Sequence, residues 1–156
     1  MTQQQLHPNH LVKSESTSRL SVRLELKPVG KGTGFVDGAW WPRGLDLRAE
    51  LPALMQGLSA RLPWVERVIY HLAEWDAAPS RIEIDGRTVR LDGYRFQPMN
   101  TVYVIGSDRS RLSLLVVPPR TDAAYAGNTM ATAATANNAF TSNELLLMGA
   151  HSPSAN

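Results

Sequence analysis

The residues best suited to ligand binding lie in the stretch VDGAWWPRG at positions 36–44. Adjacent side chains on a strand point to opposite faces, so one of Trp40 and Trp41 is expected in the core and the other on the far face, where an indole stacks on a flat ligand, a sugar or a partner. Arg43, near a predicted helix start, presents a guanidinium that suits a carboxylate or a phosphate. In the alternative interpretation Trp41 covers the sheet edge, and Asp37 pairs with Arg43 for structural reasons only.

Two further stretches combine polar and aromatic residues, RLDGYRFQP at 90–98 and EWD at 74–76. In the first, Arg95 and Gln97 alternate with aromatic residues and are expected to line a polar cleft. A charged edge strand that deters association is the alternative interpretation. From the three stretches together we predict one ligand-binding surface, formed by Trp40, Trp41, Arg43, Trp75, Asp92, Arg95 and Gln97.

Acid–base catalysis has one candidate imidazole, His71, because the other three histidines lie near the chain ends. A small enzyme with His71 as the base and Asp37 or Asp92 as the acid or orienting group is an alternative to a binding domain. A hydrogen-bonded structural histidine is the competing interpretation. Neither the spacing of a histidine metal site nor that of an Asp-rich calcium loop occurs, so we expect no metal and no other cofactor.

The glycine-rich stretch GKGTG at 30–34 departs from the P-loop order, in which lysine follows the second glycine and a helix begins. Here a strand is expected to follow the glycines. We therefore interpret the stretch as a flexible hairpin loop between two strands.

The composition indicates one globular domain, since the chain has 156 residues, 43% of them hydrophobic and 19% charged. The absence of cysteine excludes a disulfide framework, a zinc ribbon, an iron–sulfur cluster and a thiol nucleophile. No stretch is apolar enough for a signal peptide or a membrane span, so we expect a soluble cytoplasmic protein. We expect a poorly ordered lead over 1–18, a single α+β domain over 19–136, and a flexible or partly helical tail over 137–156.

The charge pattern makes a nucleic-acid partner an unfavoured alternative, because the net charge is only +2. A weak nucleic-acid-binding module would use exposed arginines beside aromatic stacking platforms. Acidic residues lie among these arginines, which favours a solvated surface of mixed sign. The arginines in question are Arg23, Arg67, Arg81, Arg87, Arg90 and Arg109.

Local patterns predict the elements that must position these residues. Alternating leucine and valine predict a strand over 20–26, and a second strand is expected over 35–41. Leucines spaced three and four apart over 47–62 predict a helix, in which Pro52 is tolerated if it lies in the first turn. Thr121 or Asp122 is expected to cap a second helix rich in alanine.

Five more strands follow the first helix in our prediction. One lies at 64–72, and the Asp85-Gly86 pair predicts a tight hairpin turn between two others. The stretches TVYVI and RLSLLVV are apolar on almost every residue, which is typical of central strands. We predict an α+β fold with a mainly antiparallel sheet of six to seven strands, in the order β-β-α-β-β-β-β-β-α, and with two helices on one face.

Motifs between about Leu26 and Asp122 resemble a family of small uncharacterised proteins, chiefly actinobacterial, that is described as a domain of unknown function. The motifs are VDGAWWPRGLDLRAELPAL, RVIYHLAEWDAAPSRI, VRLDGYRFQPMNTVYVIG and LLVVPPRTD, with VDGAWWPR, RVIYHLAEW and VRLDGYRFQP at their centres. The resemblance implies a single domain and brings no activity, cofactor or catalytic residue with it.

Taken together, the residues favour a non-catalytic binding or regulatory domain over an enzyme. The expected partner is a small polar or anionic ligand, a peptide or another protein. Pairing of two copies through an open sheet edge, giving a homodimer, is compatible with each of these functions.

Overall fold

The computed structural model describes residues 21–29, 34–135 and 140–150. The predicted lead over 1–18 lies outside the described residues, as do the glycine-rich positions 30–33. Of the predicted tail, residues 140–150 are described.

The described residues form seven strands and three helices. The strands are β1 (Leu24–Leu26), β2 (Gly38–Trp40), β3 (Val65–His71), β4 (Arg81–Ile84), β5 (Arg87–Tyr94), β6 (Thr101–Gly106) and β7 (Arg111–Val116). The helices are α1 (Leu47–Leu58), α2 (Ala123–Ala133) and α3 (Ser142–Ala150), and a short 3₁₀ turn (Leu72–Glu74) follows β3.

All seven strands belong to one sheet in the order β1-β2-β7-β6-β3-β5-β4. The pairs β2–β7 and β3–β5 are parallel, and the other four neighbouring pairs are antiparallel. The predicted α+β class, the mainly antiparallel sheet and the order of elements are therefore confirmed. Helix α3 follows the last predicted element.

The hairpin between β4 and β5 forms at the predicted Asp85-Gly86 pair. Both residues have positive φ, 52° at Asp85 and 78° at Gly86, as a two-residue turn that matches the strand twist requires. The side chain of Asp122 caps α2, because its Oδ2 accepts hydrogen bonds from the N–H groups of Ala124 and Tyr125. These two local signals acted as the sequence predicts.

Strands β1 and β2 and helix α1 are shorter than predicted, and β2 covers only Gly38–Trp40 of the expected 35–41. Strand β1 begins at Leu24, and α1 ends at Leu58 although Leu62 continues the leucine spacing. The N–H of Leu62 still donates to the Leu58 carbonyl, and its side chain is buried in the core. Pro52 lies in the second turn of α1 rather than the first.

The prediction that the helices share one face of the sheet is wrong. Trp40 and Leu114 pack with α1 on one face, whereas their neighbours Ala39 and Leu115 pack with α2 and α3 on the other. Strands β2 and β7 are apolar on both faces, and each face needs its own cover to remove that surface from water.

One glycine in this fold can be replaced with an expected gain in stability. Gly127 is exposed in α2, and a Cβ there would meet nothing within 4 Å. We expect Gly127→Ala to raise the free energy of unfolding by about 0.5–1 kcal/mol, since alanine loses less backbone entropy in a helix. Urea denaturation measures the change. Gly86→Ala is the contrast and should be destabilising, because its open surroundings do not relieve the positive φ.

Candidate functional site

The three polar-aromatic stretches lie at the same end of the sheet. Strands β2, β3, β5 and β7 run in one direction, and each stretch ends just beyond the carboxyl end of β2, β3 or β5. The side chains nevertheless do not form one surface. Trp40 and Trp75 stack with their ring centroids 5.5 Å apart and are both buried in the core.

Trp41 points to the other face, as the strand alternation predicts, but its indole N–H is hydrogen-bonded within the chain. Its Nε1 donates to the carbonyls of Pro118 and Pro119 at 3.1 and 3.2 Å. The guanidinium of Arg23 lies 3.6 Å from the ring centroid. Burial, followed by repulsion from Arg43, lowers the pKa of Arg23. The indole thus has structural partners on one face and at its nitrogen.

Arg43 and Asp37 do not pair with each other. Nη1 of Arg43 donates to the Ser21 carbonyl at 2.5 Å, and its backbone N–H donates to Oε1 of Glu50 at 3.0 Å. Oδ2 of Asp37 accepts from the backbone N–H of Ser113 at 2.8 Å. Arg43 therefore holds the chain before β1, and Asp37 holds the start of β7.

The residues of the third stretch point in different directions. Gln97 is buried and donates from Nε2 to Oγ1 of Thr101 at 2.9 Å, while Arg95 is exposed. Asp92 lies on the uncovered face of β5 in an ion pair with Arg67, and Arg90 is 3.5 Å away. The ligand-binding assignment of the seven residues stays a prediction, since their described contacts are mainly structural.

The side chain of His71 is hydrogen-bonded to a backbone group two residues away. Its Nδ1 accepts from the N–H of Ala73 at 3.1 Å and so caps the 3₁₀ turn. Each of the proposed acids, Asp37 and Asp92, has the partner given above. Over the described ranges no group of three or more histidine and acidic residues could hold a metal ion. Catalysis by His71 stays a prediction.

A groove runs between α1 and the sheet edge formed by β4. Its wider part has a volume of about 490 Å³. Pro52 lies on this side of the helix and has no N–H to donate to the Arg48 carbonyl. This part is lined by Arg48, Pro52, Arg81, Ile82, Glu83, Ile84 and Thr88.

A second cavity of about 200 Å³ continues the groove at the β4–β5 turn, and the two share Ile84. Its wall includes Trp64, which is 47% exposed and carries the Arg87 guanidinium 3.5 Å from the ring centroid. Most of the surface inside it is apolar. The apolar side chains that line it include Met55, Leu62, Trp64, Val65, Ile84 and Val89.

A third cavity, of about 210 Å³, lies near the other sheet edge, between the end of β1 and the start of β7. Lys27 is among its lining residues although only 1% of Lys27 is exposed. Burial lowers the pKa of Lys27, and the charge of Asp37 opposes that shift. The charged lining residues are Lys27, Asp37, Arg61 and Arg111.

The sequence pattern contained a signal for the groove but none for the third cavity. The groove side of α1 carries residues three and four apart, which a helical wheel places on one stripe. Lys27, Arg61 and Arg111 are far apart in sequence, and no spacing relates them. The stripe consists of Arg48, Pro52, Met55, Gln56 and Ser59.

Residues 23–133, more than two thirds of the chain, match a family of unknown function, DUF5994. The chain belongs to the DUF5994 family. No curated protein and no solved structure matches the chain. In this DUF5994 member the groove and both cavities fall entirely within the matched segment, and α3 lies beyond it.

Among the described residues of the DUF5994 chain, no helix is both long and apolar enough to cross a membrane. Four of the six arginines weighed for nucleic-acid binding have aromatic or acidic partners: Arg23 on Trp41, Arg67 and Arg90 on Asp92, and Arg87 on Trp64. A nucleic-acid partner and a homodimer stay untested predictions.

Proposed function

We propose that this chain is a non-catalytic peptide-binding domain. An extended segment of the partner adds as an eighth strand to β4 and lies in the groove against α1. The observation that carries the proposal is the groove itself, which joins an open strand edge to a helix stripe and ends in an apolar cavity.

The strand edge offers backbone hydrogen bonds. In the part of the chain that the structure describes, β4 pairs only with β5. The two-residue turn makes Ile84 and Arg87 a hydrogen-bonded pair. Hydrogen-bonded and non-hydrogen-bonded pairs alternate along an antiparallel ladder, so the N–H and C=O groups of Arg81 and Glu83 point away from β5. The bond from Leu91 N–H to the Ser80 carbonyl fits the same alternation. Main-chain bonding of this kind supplies affinity in strand addition.

The helix stripe sets the length of the groove. From Arg48 to Ser59 the helix axis and the turn after it rise by about 17 Å. An extended segment of about five residues spans the same distance. We therefore expect the recognised motif to be short, with alternate side chains directed towards α1.

The apolar cavity supplies specificity. Its volume of about 200 Å³ suits one aliphatic or aromatic side chain, whose burial contributes about 1.5–3 kcal/mol. At the other end of the groove, Arg48 and Arg81 face the solvent. The expected peptide has an apolar anchor near Trp64 and a carboxylate near these two arginines.

A random heptapeptide library displayed against the immobilised chain tests the proposal. The fluorescein-labelled form of the most enriched peptide then reports affinity by fluorescence anisotropy. Glu83→Pro removes the outward N–H of the edge strand while the paired residues on either side stay intact. We expect it to weaken binding at least about tenfold, through the lost hydrogen bond and the altered edge.

Glu83→Thr is the matched control, because it removes the same carboxylate and keeps the N–H in a residue favoured in strands. It should bind within about twofold of the parent. Equal affinity of the two Glu83 variants, or a library without enrichment of an apolar anchor, would overturn the proposal. Binding should also change the emission of the exposed Trp64, and Trp64→Phe should remove that change.

A further inference from the structure

The peptide groove is closed at one end by the chain itself. Helix α1 and strand β4 both begin at this end, where Arg48 and Arg81 are the first residues of each that line the groove. The N–H of Asp76 donates to the Leu45 carbonyl at 3.0 Å. This bond ties the segment before β4 to the segment before α1, so the groove ends where the two elements begin.

The segment that closes the groove is fixed to the core and to the sheet. Trp75 is buried and stacks on Trp40, and Ala78 packs against the same core cluster. The Ser80 carbonyl accepts from the N–H of Leu91 at 2.9 Å, which continues the pairing of β4 with β5. The closed end is therefore a built part of the fold.

The opposite end of the groove opens at the β4–β5 turn. Trp64, Asp85 and Arg87 line it there, and all three residues are exposed. An extended segment that fills the groove therefore leaves it at the turn and has its own terminus at the closed end.

The closed end suits a carboxyl terminus and repels an amino terminus. The guanidinium groups of Arg48 and Arg81 line it, and among the described residues neither group donates a hydrogen bond to the protein. Glu83 is the acidic residue of this lining, but its carboxylate lies towards β5, where Oγ1 of Thr88 donates to Oε2 at 3.5 Å. Like charges repel an α-ammonium group, whereas guanidinium groups bind a carboxylate in pairs.

We infer that the groove binds the free carboxyl terminus of a partner protein, as a strand antiparallel to β4. The inference rests on the proposed peptide-binding function and names the partner class and its direction. The residues of a hydrogen-bonded antiparallel pair exchange both N–H···O bonds. If the last residue of the partner pairs with Arg81, the Arg81 N–H therefore donates to the terminal carboxylate, beside the two guanidinium groups.

The same register places the apolar anchor. Ile82 and Ile84 both pack with the α1 leucines in the larger core cluster, so partner residues opposite them also face α1. These are the second and the fourth residues from the carboxyl terminus. Ile84 lines the apolar cavity, and the fourth residue from the terminus is therefore the anchor that enters it.

Two random heptapeptide libraries test the inference, one displayed with free carboxyl termini and the other with free amino termini. An apolar residue four positions from the end should be enriched in the first library only. The best peptide is then compared by fluorescence anisotropy with its C-terminal amide and with a form extended by two glycines. Both changes should weaken binding at least about tenfold, because they remove the carboxylate or move it past the closed end.

Arg48→Gln locates the carboxylate. Arg48 is exposed, and glutamine is a good helix former, so the variant should fold. It should weaken binding of the free acid at least about fivefold and change that of the amide less than about twofold. Arg120→Gln removes an exposed arginine outside the groove and should leave both affinities within about twofold of the parent.

Two results would overturn the carboxyl-terminal assignment and leave the peptide groove in place. One is equal affinity for the free acid and the amide. The other is an equal loss for both peptides in Arg48→Gln. The Glu83→Pro and Glu83→Thr pair still tests strand addition in either case, whereas enrichment in neither library would overturn the peptide groove itself.

Discussion

Trp40→Ala is expected to lower the free energy of unfolding by about 3–5 kcal/mol. Trp40 is 1% exposed and stacks on Trp75 at the centre of the larger core cluster. Removal of the indole leaves a cavity against α1 and strips Trp75 of its stacking partner, and the rigid packing relaxes only in part. Urea denaturation followed by circular dichroism measures the change.

Trp41→Ala is the comparison that makes this result informative. Its side chain is half-buried, and its main interactions are the Nε1 hydrogen bonds and the contact with Arg23. Their loss should lower the free energy of unfolding by about 1–2 kcal/mol. An equal decrease in the free energy of unfolding for the two variants would contradict the structure. A large loss at Trp40 alone would place it in the core and outside the predicted ligand-binding surface.

Gly38→Ala is expected to destabilise the chain by about 3 kcal/mol, at the upper end of the usual range for overpacking. A Cβ at this position would lie 2.2 Å from the Glu25 carbonyl oxygen and 2.8 Å from the Leu26 Cα. Both are backbone atoms of β1, so no rotation of a side chain relieves the clash. Strand β1 would have to move away from β2.

The same substitution should leave the peptide groove intact. The groove lies at the opposite edge of the seven-stranded sheet from β1, so peptide affinity should stay within about twofold of the parent.

Gly44→Ala is the matched control for both measurements. A Cβ there would meet only Oε2 of Glu50, at an ordinary contact distance of 3.5 Å. It should therefore leave stability and peptide affinity close to those of the parent. If the Gly38→Ala variant is as stable as the Gly44→Ala variant, the short distance between Gly38 and β1 is contradicted.

The sequence by itself determined the elements and their order. The alternation that produces β1, the leucine spacing of α1 and the Asp85-Gly86 turn act between near neighbours. Such short-range preferences are readable without knowledge of the partner strand. The division of Trp40 and Trp41 between two faces follows from strand geometry in the same way, and the structure places the two side chains in different core clusters.

Only the tertiary structure decided which strands pair, which faces the helices cover and where cavities form. The parallel pairing of β2 with β7 joins segments more than seventy residues apart, and it brings Asp37 and Arg111 to one cavity. It also leaves β4 at the sheet edge beside α1. Such placements depend on long-range packing, in which the burial of each apolar face fixes positions that no local pattern encodes.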